Sequence, residues 1–294
     1  MVKSKALLGA LLMSAPLSTF ATQVPWFESN SPLTQAHKHL LNDDLPGMFS
    51  SLVEVWQLEK NQSIVPHLND LFLQSLEVDC GKSLDNRSLP DWITSVVVRR
   101  TEIQSPGRDS YRALVEVDSP VAIKDIALTR WVSKIVSTDN TLTVVENTDD
   151  RKSTRYIKRY NLNSRVKMGL YRIDVTATDE TSWSSWLVLG EPKAEISIRW
   201  NAKAQWKVEK NALLNRHCPL PKLETALYDY VDGNYVQVWG ESHDSDYPSS
   251  LDTIPIEPGR YVLAVSMNHQ RWQGPIIVEQ SQIISKTYDV SVEE

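Results

Sequence analysis

Residues 151 to 167 hold Arg151, Lys152, Arg155, Lys158, Arg159, Arg165 and Lys167 with no acid among them, in a chain of net charge −6. Tyr156 and Tyr160 are interleaved with these bases. If Arg155 to Leu162 forms a strand, alternation puts Arg155, Ile157 and Arg159 on one face and Tyr156, Lys158 and Tyr160 on the other. A hairpin of this kind could hold a phosphate or carboxylate of the cell envelope, or dock on an acidic protein surface. Arg151, Lys152, Arg155, Tyr156, Lys158, Arg159 and Tyr160 are therefore the candidate partner surface. The competing reading is that the bases balance nearby acids such as Glu146, Asp149 and Asp150.

Other reactive residue types give weaker patterns. Gly-x-Ser-x-Gly, Walker, His-Glu-x-x-His and dinucleotide glycine motifs are missing from the sequence, which weakens an enzyme reading. Carboxylate-pair hydrolases carry no local motif, so that class stays open. His37 and His39, two apart on an expected helix, face different ways and make a poor shared metal site. His217 adjoins Cys218. His243 lies with Glu241, Asp244, Asp246 and Asp252 in a polar segment whose oxygens could hold calcium, although a solvated, Ser-rich loop between strands is the favoured reading. No cofactor is expected. Ten tryptophans and ten tyrosines against four phenylalanines suit wet interfaces or stacking on sugars. Trp183, Trp186, Trp200, Trp206, Trp239 and Trp272 nevertheless fall on or beside expected strands, where core packing is the ordinary role.

Cys80 and Cys218 are the two cysteines. In an oxidising compartment they are expected to pair, closing a loop of roughly 140 residues worth about 4 to 5 kcal/mol in the chain-entropy model. Such a compartment is indicated by the first 21 residues. Lys3 and Lys5 precede an apolar run from Ala6 to Leu17, and Thr19-Phe20-Ala21 fits a cleavage site. Without a cysteine at the cut, no lipid anchor is expected. Removing the leader moves the net charge from −6 to −8, which argues against nucleic acid as a partner. No later apolar run reaches the ~18 to 20 residues of a membrane span. A periplasmic location follows, with secretion as the alternative.

The elements that would position these residues change period along the chain. Ser31-Pro32 caps a helix carrying Leu33, Ala36, Leu40 and Leu41, a second carries Phe49, Leu52, Val53 and Trp56, and a third carries Leu68, Leu71, Phe72 and Leu76. They resemble one and a half tetratricopeptide units, too few to be stable alone, so docking on the following domain is expected. From Trp92 the period becomes two. Val96–Arg99, Tyr111–Val117, Ile123–Leu128, Thr141–Val145, Tyr156–Leu162, Tyr171–Thr176, Trp186–Leu189 and Ile196–Trp200 read as strands. After Cys218-Pro219-Leu220-Pro221 come Ala226–Val231, Tyr235–Trp239, Tyr261–Ser266, Ile276–Glu279 and Ser285–Val290. Gly169 to Leu189 and Gly259 to Val278 share a Gly-x-Tyr-led strand, then a tryptophan 14 and 13 residues after the glycine, then a second apolar run. This suggests one hairpin used twice.

The expected fold is mainly β with an N-terminal α-helical module and two antiparallel, Ig-like β-sandwich domains in tandem. The expected boundaries are 1–21 leader, 22–90 helical module and linker, 91–217 first sandwich and 218–294 second. In layout, with a leader, a short helical region, Tyr-led hairpins and two cysteines, the chain resembles uncharacterised exported proteins of marine gammaproteobacteria grouped as a domain of unknown function. That resemblance implies a Gram-negative periplasm and transfers no site residues. The functional expectation is a non-catalytic interaction or adaptor protein, whose partner is an envelope protein or an anionic envelope component. The alternatives are a glycan- or cell-wall-binding module or hydrolase, and a pilus or secretion component assembled through open sheet edges.

Overall fold

The computed structural model describes residues 30–58, 64–132, 134–145, 153–189, 194–202, 204–251 and 254–290. The leader, Arg151, Lys152 and Asp252 lie outside them, as do Glu146, Asp149 and Asp150. Three helices come first: α1 (Pro32–Leu41), α2 (Leu45–Leu58) and α3 (Val65–Asp79). Ser31 caps α1, its Oγ accepting from Thr34 N at 3.2 Å. α3 ends where Cys80 turns left-handed at φ 64°, its N–H returning to Leu76 O. No helix among the described residues is long and apolar enough to cross a membrane.

The rest is β: β1 (Ser95–Ser105), β2 (Arg108–Ser119), β3 (Ile123–Arg130), β4 (Lys134–Ile135), β5 (Asn140–Val145), β6 (Thr154–Leu162), β7 (Gly169–Ala177), β8 (Ser182–Leu189), β9 (Ile196–Ala202), β10 (Gln205–Lys210), β11 (Lys222–Val231), β12 (Asn234–His243), β13 (Gly259–Gln273) and β14 (Ile276–Val290). They form an eight-stranded sheet ordered β12-β11-β13-β14-β1-β2-β6-β5, a four-stranded sheet β4-β3-β7-β8 and the pair β9-β10. Sandwich-like packing follows from alternation. Val96, Val98, Val115 and Tyr160 of the large sheet meet Ile126, Ile173, Val175 and Leu187 of the four-stranded sheet in one core. The other face of that smaller sheet, with Leu170 and Val188, packs on Leu52, Leu68 and Phe72 of the helices in a second core. The helical module thus forms a third layer on the β body. A third core joins Ile196, Ile198 and Trp206 to Leu223, Leu263, Val265 and Ile284.

Three features differ from the sequence-based expectation. The sheets are antiparallel except at one junction, where β1 and β14 pair in parallel from Val96↔Ile276 to Gln104↔Ile284, so that one sheet runs through both β regions. β9 and β10, which precede residue 218, pack with the strands that follow it, whereas Ile276 and Val278 belong to the first core. Finally, Ile276–Glu279 and Ser285–Val290 are one 15-residue strand. Its middle carries polar residues on its inner face, which erases the apolar alternation there.

The two Tyr-led hairpins are both present, as β7–β8 and β13–β14. Their tryptophans are not equivalent, since Trp183 follows the turn whereas Trp272 precedes the turn at Gly274. Their tyrosines are. Tyr171 Oη donates to Lys167 O at 2.5 Å and Tyr261 Oη to Glu257 O at 2.8 Å, each reaching back four residues. Immunoglobulin sandwiches carry a corner of this kind, which pins the start of a strand to the preceding turn.

Candidate functional site

The basic segment lies on β6 and the turn after it, with the alternation read from sequence. The face carrying the tyrosines is the core face. Tyr156 and Tyr160 are buried, and Tyr160 Oη accepts from Leu128 N at 2.8 Å and donates to Ile126 O at 3.2 Å. Neither tyrosine is available to a partner. At the margin of the same face, Lys158 Nζ reaches Asp125 at 2.9 Å. On the outer face Arg155 grips both oxygens of Asp118, at 2.8 and 3.0 Å, and beyond the strand Arg165 pairs with Glu102 at 3.0 Å. The bases are balanced by acids distant in sequence. Arg159 and Lys167 remain exposed. Arg159 neighbours Arg112, whose guanidinium is held below its usual range by burial and by that like charge. These two arginines border a hollow of about 360 Å³ on the outer face of the large sheet.

The histidines are dispersed too. His39 Nδ1 meets Asp44 at 2.7 Å, while His37 turns to His67 of α3. His217 bonds with Arg216 and Asn215. His243 lies 3.7 Å from Glu241, and Asp244 faces Lys222 at 3.6 Å. Among the described residues no group of three or more potential metal ligands forms, so the calcium set around 241 to 246 is not assembled there. Most tryptophans are structural. Trp131 meets Trp186 edge to face at 5.5 Å, Trp200 meets Trp206 at 6.4 Å, and Trp206 is buried.

A larger concavity lies where the three cores meet. Across the inner face of the large sheet, register aligns Arg100, Gln280 and His269 on adjacent strands, with Arg271 opposite Val278 one step away. The apolar pattern is interrupted here on three neighbouring strands at once, between Val98 and Val278 of the first core and Met267 and Ile284 of the third. Arg100 Nη2 donates to Gln280 Oε1 at 2.5 Å, and burial lowers its pKa to about 10. Arg271 is driven well below its ordinary value by burial and by Arg100, and its guanidinium lies 5.8 Å from the Phe72 ring. His269 Nε2 bonds to Ile196 O at 2.9 Å, and burial first, then Arg100, lowers its pKa.

Over this belt passes a strap, residues 211–221. The Cys80–Cys218 disulfide, with Cα atoms 5.1 Å apart, ties it to the end of α3. Asn215 Nδ2 donates to Leu76 O at 2.8 Å, and Asn211 N to Glu195 O at 2.6 Å. Glu195 is held above its usual carboxyl range by burial, an effect opposed by the Asn215 backbone N–H. Strap, α3 and sheet enclose a cleft of about 600 Å³. Leu73, Leu76 and Leu214 contribute apolar wall, while His269, Arg271 and Gln280 contribute polar floor. Leu213 stands at its rim, 95% exposed. Sequence reasoning missed this site because its members come from residues 73 to 280, and their local signal was an interrupted strand pattern.

Residues 26–289 match the model of a family described as Protein of unknown function (DUF2861). A search of curated proteins gave no match. Among solved structures, a chain described as tandem Ig repeats of Dlar is similar at 10% identity, with 66% of this chain and 97% of that chain covered and a TM-score of 0.25. Because the family match extends over most of its length, this chain belongs to the DUF2861 family.

Proposed function

We propose that the protein is a non-catalytic binding or adaptor protein of the cell envelope, and that its ligand or partner engages the cleft beneath the disulfide-tied strap. The observation that carries this reading is the cleft itself, apolar in its walls, with His269, Arg271 and Gln280 converging on its floor. A cavity of this size and lining is the usual setting of a ligand site. The hydrogen bonds that His269 and Glu195 make to backbone groups suit a fixed binding surface better than proton transfer. Export through residues 1–21 and a disulfide suited to an oxidising compartment support the periplasmic setting. In this reading the β body is a pair of Ig-like units in tandem, the first led by Tyr171 and the second by Tyr261. Arg159, beside Arg112, is a subsidiary contact for an anionic partner.

A photo-crosslinking residue placed at Leu213 in the periplasm tests this. The expected result is a discrete adduct that is lost when Leu73→Glu or Arg271→Met alters the cleft, with folding verified by thermal melting. Adducts that survive both changes, or that form equally from the exposed Val132 in the β3–β4 turn, would overturn the assignment. A second reading, glycan binding, has one observation in its favour. Tyr230 and Tyr235 at the β11–β12 tip are 63% and 64% exposed with rings 5.0 Å apart. Cell-wall oligosaccharides should then shift the spectra of these tyrosines, and Tyr235→Ala should abolish the shift.

A further inference from the structure

α1 and α3 each present one histidine to the other. His37 and His67 meet with their Nε2 atoms 2.9 Å apart and ring centroids at 5.1 Å. Their backbones are fixed from below, since Leu33 and Ala36 of α1 and Leu68, Leu71 and Phe72 of α3 all lie in the second core. The pair is therefore pre-positioned by packing, while its outer side meets solvent, His67 being exposed and His37 half-buried. Two neutral imidazoles can share one proton here, Nε2–H of one donating to Nε2 of the other. The same two nitrogens are the atoms by which histidine ligates metals.

We propose that His37 and His67 form a chelating pair for a divalent transition-metal ion, with copper(II) preferred over nickel(II) and zinc(II). The preference follows from the stability order of nitrogen-ligated sites, in which copper(II) exceeds both nickel(II) and zinc(II). In the metal-free protein the two Nε2 atoms meet tip to tip across a hydrogen bond. Binding moves the donor ring to its Nδ1–H tautomer and swings the exposed His67 imidazole until both Nε2 lone pairs converge on the ion. No third His, Cys, Asp or Glu joins them among the described residues, so two protein ligands leave the remaining positions to water or to a donor from outside. The ion would bridge α1 to α3 at the surface of the helical layer. This is independent of the cleft, which lies at the other end of α3 beside Leu73 and Leu76.

The test is titration of tag-free, metal-stripped mature protein with copper(II), read by electron paramagnetic resonance, and with nickel(II), read by calorimetry. One equivalent bound with nitrogen hyperfine structure is expected, together with a rise of a few degrees in the melting midpoint. His67→Ala and His37→Ala should each weaken binding at least tenfold without shifting the metal-free melting curve by a comparable amount. His39→Ala and His269→Ala should bind as the unaltered protein does. Equal binding by all four variants would place the ion elsewhere and overturn the proposal, as would no binding at micromolar metal. A zinc affinity exceeding that for copper would overturn the preference for copper.

Discussion

Tyr160 shows how a residue chosen for surface chemistry is claimed by the core. Its strand position was readable, but a period of two defines two faces and does not say which one is wet. The phenol sits among apolar side chains and satisfies two backbone groups of β3, and burial pushes its pKa up to about 12 from an ordinary 10.0. Tyr171 is likewise pushed up to about 12, again by burial. In Tyr160→Phe the Leu128 N–H loses its acceptor in a buried setting, which should cost about 1 to 3 kcal/mol in denaturant unfolding. The pH dependence has a definite sign. Because the folded-state pKa is raised, the tyrosine's stabilising contribution is complete below the unfolded value near 10 and disappears as pH climbs toward 12. Stability should therefore decline between those limits, and less steeply in Tyr160→Phe. Parallel declines in the two proteins would show that this phenol is not the group responsible. Lys158 and Arg155 were also read correctly as to face, but their acids, Asp125 and Asp118, come from other strands and could not be found by inspecting neighbours in sequence.

Two glutamines do for the sheets what no single strand pairing can. Gln273 Oε1 accepts from Val188 N and its Nε2 donates to Val188 O, both at 2.8 Å, so one amide side chain mimics a paired strand at the edge of β8. Gln282 does the same to Ile198 of β9, at 2.9 and 3.0 Å. β13 and β14 thus hold the four-stranded sheet and the β9–β10 pair against the large sheet through side chains. Gln273→Leu should leave both Val188 groups without partners in a buried site, at a cost of about 2 to 4 kcal/mol. Hydrogen exchange is expected to show loss of protection centred on the Val188 amide. Protection unchanged there would refute the edge-pairing role. These glutamines also explain the limits of the sequence reading. Helix existence was legible from caps and period, and most strands from alternation. Lys134–Ile135 escaped because it is two residues long. Gln205–Lys210 escaped because only Trp206 and Val208 are apolar in it. β14 was read as two pieces because Gln280 and Gln282 replace apolar residues on its inner face.

At the scale of the whole molecule, the parallel junction of β1 with β14 brings residues about 180 apart into one ladder. No local pattern encodes that pairing, which is why the sharing of the first and third cores by strands from both sides of residue 218 could not be read from the sequence. A second long loop, overlapping the one between β1 and β14, is closed by Cys80–Cys218 at a sequence separation of 138. In the chain-entropy model the crosslink restricts the unfolded chain by about 5 kcal/mol. The folded end of the bond does not depend on sulfur alone. Trp272 N donates to Cys80 O at 3.0 Å and Gly274 N to Gly81 O at 2.9 Å. Gly81 has φ 82°, and a Cβ there would lie 2.1 Å from Trp272 O, so only glycine fits this crossing. With those contacts and the Asn215 bond intact, the double variant Cys80→Ser with Cys218→Ser should still fold. It should lose up to about 5 kcal/mol, and the unaltered protein in reductant should lose a similar amount. If the loss is entropic, it belongs to the unfolded state, and the cleft should keep its shape in the variant at low temperature. A crosslinker at Leu213 would then still capture the same adduct from the reduced protein. Stability insensitive to reduction would remove the disulfide from the fold's support, whereas loss of the adduct at full folding would instead make the bond the part that holds the strap over the cleft.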